Sequence, residues 1–233
     1  MDLQTLLISI LIILYSFIST VLADGCEVQM AGHDFSCATT PARTLRCWGD
    51  DNYGQLGYEL FGDKTIGDEP FEMGSYLAEA KLGSTHELVY WTTSGLFSCT
   101  LLDPSDVKCW GLGFSGRNGQ GNTNHIGDAN FEMGDYLDVV NFGAPFWVLT
   151  IQSGYTHSCV LSTALSIKCW GGNALGSLGY GDGNNRGDNP MEMGDYLPLV
   201  DLGSGLIMGE VRPAFGFLTL FITLCYFFYF DQK

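Results

Sequence analysis

The tripeptide Cys-Trp-Gly occurs three times, as Cys47-Trp48-Gly49, Cys109-Trp110-Gly111 and Cys169-Trp170-Gly171, at intervals of 62 and 60 residues. A unit of that length is one supersecondary element. It cannot bury its own apolar face and must stack on its neighbours. The chain is therefore expected to be a repeat array, and any shorter motif inside it has to be judged first as part of the repeat.

Further markers keep the same frame. Phe71-Glu72-Met73-Gly74-Ser75-Tyr76-Leu77 returns as Phe131-Glu132-Met133-Gly134-Asp135-Tyr136-Leu137 and as Met191-Glu192-Met193-Gly194-Asp195-Tyr196-Leu197. Gly67-Asp68, Gly127-Asp128 and Gly187-Asp188 precede these segments, and Leu82-Gly83, Phe142-Gly143 and Leu202-Gly203 close the units. Two extra residues between Gly57 and Gly67 read as a loop insertion. The repeats are 24–83, 84–143 and 144–203.

Ten residues before each Cys-Trp-Gly cysteine stands another: Cys37, Cys99 and Cys159. The segments between have polar or Pro-containing centres flanked by β-prone runs, the pattern of hairpins. Turns centred on 42, 104 and 164 put the cysteines of each pair opposite one another, at roughly the 4.5–5.5 Å Cβ separation of cross-strand neighbours, close to disulfide geometry. Leu88–Trp91 and Phe146–Ile151 predict further strands. Tyr136–Val140 and Tyr196–Val200 predict another. With about four strands per unit and 31 glycines for tight turns, the expected fold is all-β: a partial β-propeller of about three four-stranded blades, with Trp48, Trp110 and Trp170 in the blade cores. An apolar helix is expected at each end.

The frame resembles the repeat of the regulator of chromosome condensation family. The residues that carry the likeness are Trp48-Gly49-Asp50-Asp51-Asn52-Tyr53-Gly54-Gln55-Leu56-Gly57, and Gly154-Tyr155-Thr156-His157-Ser158-Cys159 with Lys168-Cys169-Trp170-Gly171-Gly172-Asn173 in the third copy. It covers roughly residues 26–203 and implies β-propeller blades, with guanine-nucleotide exchange or other small-GTPase regulation as the activity attached to the family. The chain departs from the pattern at Phe35 and Phe97, where the third copy has His157, and at Gly116-Arg117-Asn118-Gly119. Full members of the family have seven blades. Three cannot close a ring, which leaves an open arc, association of copies, or a portion of a longer gene product.

The two ends read differently from the repeats. Residues 1–23, with an apolar run ending in Val21-Leu22-Ala23, predict a secretory signal peptide, with a signal anchor as the alternative. Residues 204–213 form a juxtamembrane linker. Residues 214–230 are uncharged and Phe-, Leu- and Tyr-rich, and at about 1.5 Å per residue they cover the short edge of a bilayer. They predict a transmembrane span, a removable lipid-anchor signal, or a tail that replaces a fourth blade in the reading frame. Six of the eight cysteines form the three regular pairs, in keeping with an oxidising compartment, while Cys26 and Cys225 stand apart. The expected location is the membrane of the secretory pathway, lumenal or at the cell surface.

The net charge of −16 becomes −15 on residues 24–213 once Asp2, Asp231 and Lys233 are set aside. Such a surface repels phosphate backbones, so no nucleic-acid partner is expected. Gly111-Leu112-Gly113-Phe114-Ser115-Gly116 matches a dinucleotide fingerprint, but its glycines belong to the repeat. Arg186-Gly187-Asp188 borrows the repeat's own Gly-Asp. Asp182-Gly183-Asn184-Asn185 begins like a calcium loop but has Met193 where the bidentate Glu is required. Asp68/Glu72, Asp128/Glu132/Asp135 and Asp188/Glu192/Asp195 recur at one place in each copy and predict an acidic rim, either solvated carboxylates or a site for a cation or a basic partner. No catalytic, cofactor or metal constellation is signalled. The sequence is read as a non-enzymatic repeat scaffold that binds a protein or glycan at a membrane and is able to self-associate to complete a ring. Small-GTPase regulation is the alternative.

Overall fold

Each cysteine pair lies at the same register of a hairpin. In the computed structural model, which describes residues 28–30, 32–59, 64–84 and 87–203, the first sheet runs β1 (Val28–Met30), β2 (Phe35–Thr39), β3 (Leu45–Asp50) and β4 (Thr65–Ile66), antiparallel and in that order. The second is β5 (Leu88–Ser94), β6 (Phe97–Leu102) and β7 (Asp106–Gly111). The third is β8 (Val148–Ser153), β9 (His157–Ser162) and β10 (Ile167–Gly171). Cys37 faces Cys47, Cys99 faces Cys109 and Cys159 faces Cys169. All three pairs are disulfide-bonded, with Cα separations of 4.0, 4.1 and 4.1 Å. Each closes a loop of about 11 residues, worth roughly 2–3 kcal/mol in the chain-entropy picture. The terminal runs 1–23 and 214–230, the linker 204–213, Cys26 and Cys225 lie outside the described residues. Among the described residues no helix is long and apolar enough to cross a membrane.

The strand outside each hairpin is vestigial and comes from a segment for which the sequence predicts no strand. It is two residues long in the first blade and a single bridge in the others, Gly111 to Ile126 and Gly171 to Arg186. The expected strands at 136–140 and 196–200 begin instead as 3-10 turns, Gly134–Tyr136 and Gly194–Tyr196. Each then adds one hydrogen bond to the outer strand, Val140 N to Val107 O (2.7 Å) and Val200 N to Ile167 O (2.9 Å). A side chain supplies what the missing strand would. The buried Tyr58 hydroxyl accepts from Cys47 N (2.7 Å) and donates to Cys47 O (2.6 Å). Tyr180 does the same for Cys169, at 2.9 and 2.8 Å. Burial pushes both phenols up to about 12, so they stay neutral and able to donate. In the first and third repeats the outer edge at that cysteine is thereby satisfied without a full strand.

The sheets stack through shared cores. β1, β5 and β8 are neighbours. Leu45, Leu56, Tyr58 and the Cys37–Cys47 pair of the first blade pack against Trp91, Trp110, Met133 and Leu137 of the second. Phe97, Val107 and the Cys99–Cys109 pair pack in turn against Ile151, Val160, Trp170 and Leu197 of the third. Trp110 and Trp170 are wholly buried, and each reaches back into the preceding repeat. Trp110 Nε1 donates to Gln55 O (3.1 Å) and Trp170 Nε1 to Arg117 O (2.9 Å). Trp48 occupies the same frame position but is half-buried.

Trp170→Phe removes the donor to Arg117 O and leaves a smaller ring in a filled core. It is expected to cost about 1–3 kcal/mol in urea unfolding. Trp48→Phe is expected to cost at least ~1 kcal/mol less. Equal costs at the two positions would contradict the junction assignment.

Candidate partner-binding loops

The carboxylates predicted to form an acidic rim divide into two jobs. Glu72, Glu132 and Glu192 fold back onto their own loops. Glu72 Oε2 accepts from Gly67 N (2.7 Å) and Glu69 N (3.0 Å). Glu132 Oε2 accepts from Gly127 N (2.9 Å) and Ala129 N (3.0 Å), and Glu192 Oε2 from the amides of Gly187, Asp188 and Asn189 at 3.0–3.1 Å. The amides of Glu69 and Gly67 hold the Glu72 carboxyl below its ordinary range. Asp135 and Asp195 instead bond the first residue of their own repeat, Ser84 N (2.9 Å) and Ala144 N (3.3 Å). Asp68, Asp128 and Asp188 remain at the loop surface, where Asp188 is bonded by Asn185 and Asn189. Among the described residues no group of three or more His, Cys, Asp or Glu is placed to hold a metal ion.

These carboxylates fix the backbone that carries the exposed feature of the site. In each repeat the loop presents two large apolar or aromatic side chains to solvent: Phe71 and Tyr76 (76% and 66% exposed), Phe131 and Tyr136 (69% and 66%), Met191 and Tyr196 (72% and 67%). The first two pairs are edge-to-face, with ring centroids 5.5 and 5.2 Å apart. Phe71, Phe131 and Met191 all have left-handed backbone, with φ of 72°, 65° and 64°. That region costs a side-chain-bearing residue roughly 1–2 kcal/mol, and exposing an apolar side chain forgoes its burial. The same unfavourable choice at one position of three loops points to a surface kept for contact rather than for folding. In the middle repeat, Phe131 and Tyr136 line a groove with Gln120, Asn122, His125 and Asp138.

Two of three basic residues that the sequence frame left without a role, Lys108 and Lys168, hold the repeats together. The residue before each Cys-Trp-Gly is basic: Arg46, Lys108 and Lys168. Lys108 Nζ donates to Leu82 O (3.1 Å) of the preceding repeat and to Gly134 O (2.7 Å) of its own. Lys168 Nζ does so to Phe142 O (2.6 Å) and Gly194 O (2.9 Å). Burial pulls both lysines down from their ordinary range, and the paired carbonyls replace the lost hydration.

The departures from the repeat pattern also resolve as structure. Asn173 accepts from Leu178 N (2.9 Å) and donates to Asp182 O and Asn184 O (both 3.0 Å). The second repeat has Gly113 at that position, where a Cβ would overlap Asn124 O. Its amide comes instead from Asn118, which donates to Gly111 O and Asn124 O, both at 3.2 Å. His157 covers Gly154 as Phe35 covers Gly32, and burial lowers its pKa. Arg186 is engaged within its loop, by Asp182 (2.8 Å) and by the carbonyls of Asn184 and Asn185. Gly187 packs against Gly116, so Arg186-Gly187-Asp188 is scaffold here. Gly111–Gly116 follows an antiparallel strand and leads only into a 3-10 turn.

No protein-family model matches the sequence. Among solved structures the chain is similar to human WBSCR16, an RCC1-like protein, at 17% identity and a TM-score of 0.53, over 76% of this chain and 40% of that one. It is also similar to yeast RCC1 (Prp20) in a structure bound to Kap60, at 19% identity and a TM-score of 0.46, over 68% of this chain and 32% of that one. The chain thus spans two-fifths or less of the length of these structures. The fold is that of RCC1-like repeats: a partial β-propeller held by hairpin disulfides.

Asp51 stands at the Asn173 position of the first repeat and is wholly buried. Its Oδ1 accepts from Leu56 N (2.7 Å), and Oδ2 has no hydrogen-bond partner among the described residues. Burial raises its pKa from 3.8 to about 6. The native state therefore holds a proton that the unfolded chain has released between these values. The stabilising contribution is complete below about pH 4 and is lost as pH rises through 6, a change of roughly 3 kcal/mol. Asp51→Asn is expected to abolish this dependence, so that the difference in stability between variant and parent grows from pH 4 to pH 7. A constant difference across that range would contradict the assignment.

Proposed function

We propose that the chain is a non-enzymatic scaffold that holds a macromolecular partner, a protein or a glycan, against the exposed Phe71/Tyr76, Phe131/Tyr136 and Met191/Tyr196 loops. The observation that carries this reading is the recurrence of exposed apolar side chains on left-handed backbone at one position in all three repeats. Aromatic rings on a fixed backbone give large contact area at small entropic cost, the composition of binding hot spots. Asp68, Asp128 and Asp188 beside them favour a basic surface, and the net negative charge disfavours nucleic acid. Because the loops repeat at a fixed period, a partner engages them together, and avidity adds to a modest contact at each.

We place this scaffold at a membrane of the secretory pathway, on the lumenal or extracellular side. The three disulfides support an oxidising compartment, and the apolar runs 1–23 and 214–230 support entry and retention. The second reading is regulation of a small GTPase, favoured by the likeness of the repeat frame. A nucleotide-exchange assay over a panel of small GTPases separates the two. The scaffold reading expects no acceleration of nucleotide release, and a stimulated GTPase would replace it.

Photo-crosslinking residues placed at Tyr76, Tyr136 and Tyr196 of the membrane-expressed chain are expected to trap one and the same adduct. Three unrelated adducts, or none, would remove the shared surface. Phe131→Gly is expected to raise stability by about 1 kcal/mol, through relief of the left-handed backbone, while weakening capture of that adduct. A loss of stability would show that the ring is structural.

A further inference from the structure

The chain displays the same blade-to-blade junction twice, and the described faces at its two ends carry the two halves of a third. At the internal junctions the contact is backbone against backbone. A Cβ on Gly54 would overlap the carbonyl carbon of Gly127, and one on Gly116 would overlap that of Gly187. Gly83 and Gly143 are closed in the same way: a Cβ on Gly83 would lie 2.8 Å from Asp135 Oδ1, and one on Gly143 would overlap Asp195 Oδ1. The corresponding glycines of the third repeat, Gly176 and Gly203, have nothing among the described residues within 4 Å of the place a Cβ would take. Apolar positions follow suit. Phe142 is 6% exposed and lies on Trp170, with centroids 5.2 Å apart, whereas Leu202 at the same frame position is 43% exposed. Tyr53 stacks on His125 of the next repeat, whereas its counterpart Leu175 is 96% exposed.

The first repeat presents the complementary half. Trp48 is half-buried where Trp110 and Trp170 are sealed, and Met73 is 41% exposed where Met133 is 1% exposed. Arg46 makes the bond within its own repeat, to Gly74 O (3.3 Å), that Lys108 and Lys168 make to Gly134 O and Gly194 O. Its other terminal nitrogen is held by Glu79 Oε1 of the same repeat (3.2 Å). Among the described residues it makes no bond to the closing carbonyl of another repeat, and its buried Nε has no hydrogen-bond partner.

We propose that the Trp48 face of one copy of this chain docks on the Gly176–Leu202 face of a second copy, head to tail, in the geometry of the internal junctions. Trp48 Nε1 then donates to Ser177 O, as Trp110 and Trp170 donate to Gln55 O and Arg117 O. Arg46 reaches the carbonyl of Leu202, and Gly67 of the docking copy closes on Gly176. Such a contact is heterologous, so it builds a ring where the rotation closes. The three described blades, taken twice, come within the range of about four to eight found in closed propellers.

The test uses the full chain in membranes, with a photo-crosslinking benzoylphenylalanine in place of Trp48, co-expressed with an isotope-labelled copy that lacks it. Adducts joining position 48 of one copy to residues 174–181 of the other are expected. Leu175→Arg in the labelled copy, at a site open to solvent, is expected to leave the melting temperature unchanged and to lower the adduct yield about tenfold or more, as loss of one central contact does. Adducts confined within one copy, to a segment of the same chain, would overturn the proposal. So would inter-copy adducts that Leu175→Arg does not reduce.

Discussion

The structure depends on one interaction: an indole N–H that leaves its own repeat and donates to a backbone carbonyl of the one before, Trp110 to Gln55 and Trp170 to Arg117. Everything at the junction is arranged to let the indole reach that far. Glycine at 54 and 116 brings the backbones together. The buried lysines tie the closing carbonyl of one repeat to the 3-10 turn of the next, and the aspartates at 135 and 195 tie that turn to the first residue of its own repeat. The third repeat keeps one small buried cluster of its own, Cys159, Leu161, Ile167, Cys169 and Leu178, but the two larger cores are shared between repeats. Each shared core is half from one repeat and half from the next, which is the energetic signature of a repeat array.

The disulfides work on the other axis. They lock each hairpin across β2–β3, β6–β7 and β9–β10, while the junction contacts run between sheets. A short blade with a vestigial fourth strand would expose its outer edge. The hairpin lock, together with the tyrosine hydroxyls of Tyr58 and Tyr180 on the Cys47 and Cys169 backbone, closes that edge at little cost in chain length. The Gly-Asp to Tyr-Leu loops are fixed by the same junctions and by their own glutamates, and they are where the exposed aromatic residues stand.

Much of this is legible in the residues. The ten-residue spacing of the cysteines places them opposite one another because hairpin register follows from the turn, and the repeat frame places the tryptophans in shared cores. What is not legible has a common cause. The acceptors of Trp110 and Lys108 and the donors to Glu132 are backbone groups, and a backbone partner leaves no mark on the side-chain pattern. The sequence therefore shows the recurring glutamates as an acidic rim and hides their bonds to the amides of their own loops. The basic residue at 46, 108 and 168 recurs in the frame, a signal visible in the sequence whose meaning needs the carbonyls of Leu82 and Phe142. The move of one amide from the Asn173 position to Asn118 is hidden for the same reason: both reach the carbonyl of the same loop residue, Asn184 or Asn124, from different places. The predicted fourth strand does not form because Tyr136–Val140 and Tyr196–Val200 have the right composition but begin after a glycine with positive φ, which starts a 3-10 turn.

The claim that these junctions hold the array together is tested most directly by hydrogen exchange at the tryptophan indoles. The account predicts that the Nε1 protons of Trp110 and Trp170 exchange no faster than the slowest backbone amides of β6 and β9, since freeing either indole requires two repeats to part. Exchange of either indole on the timescale of exposed loop amides, with the sheets still protected, would contradict it.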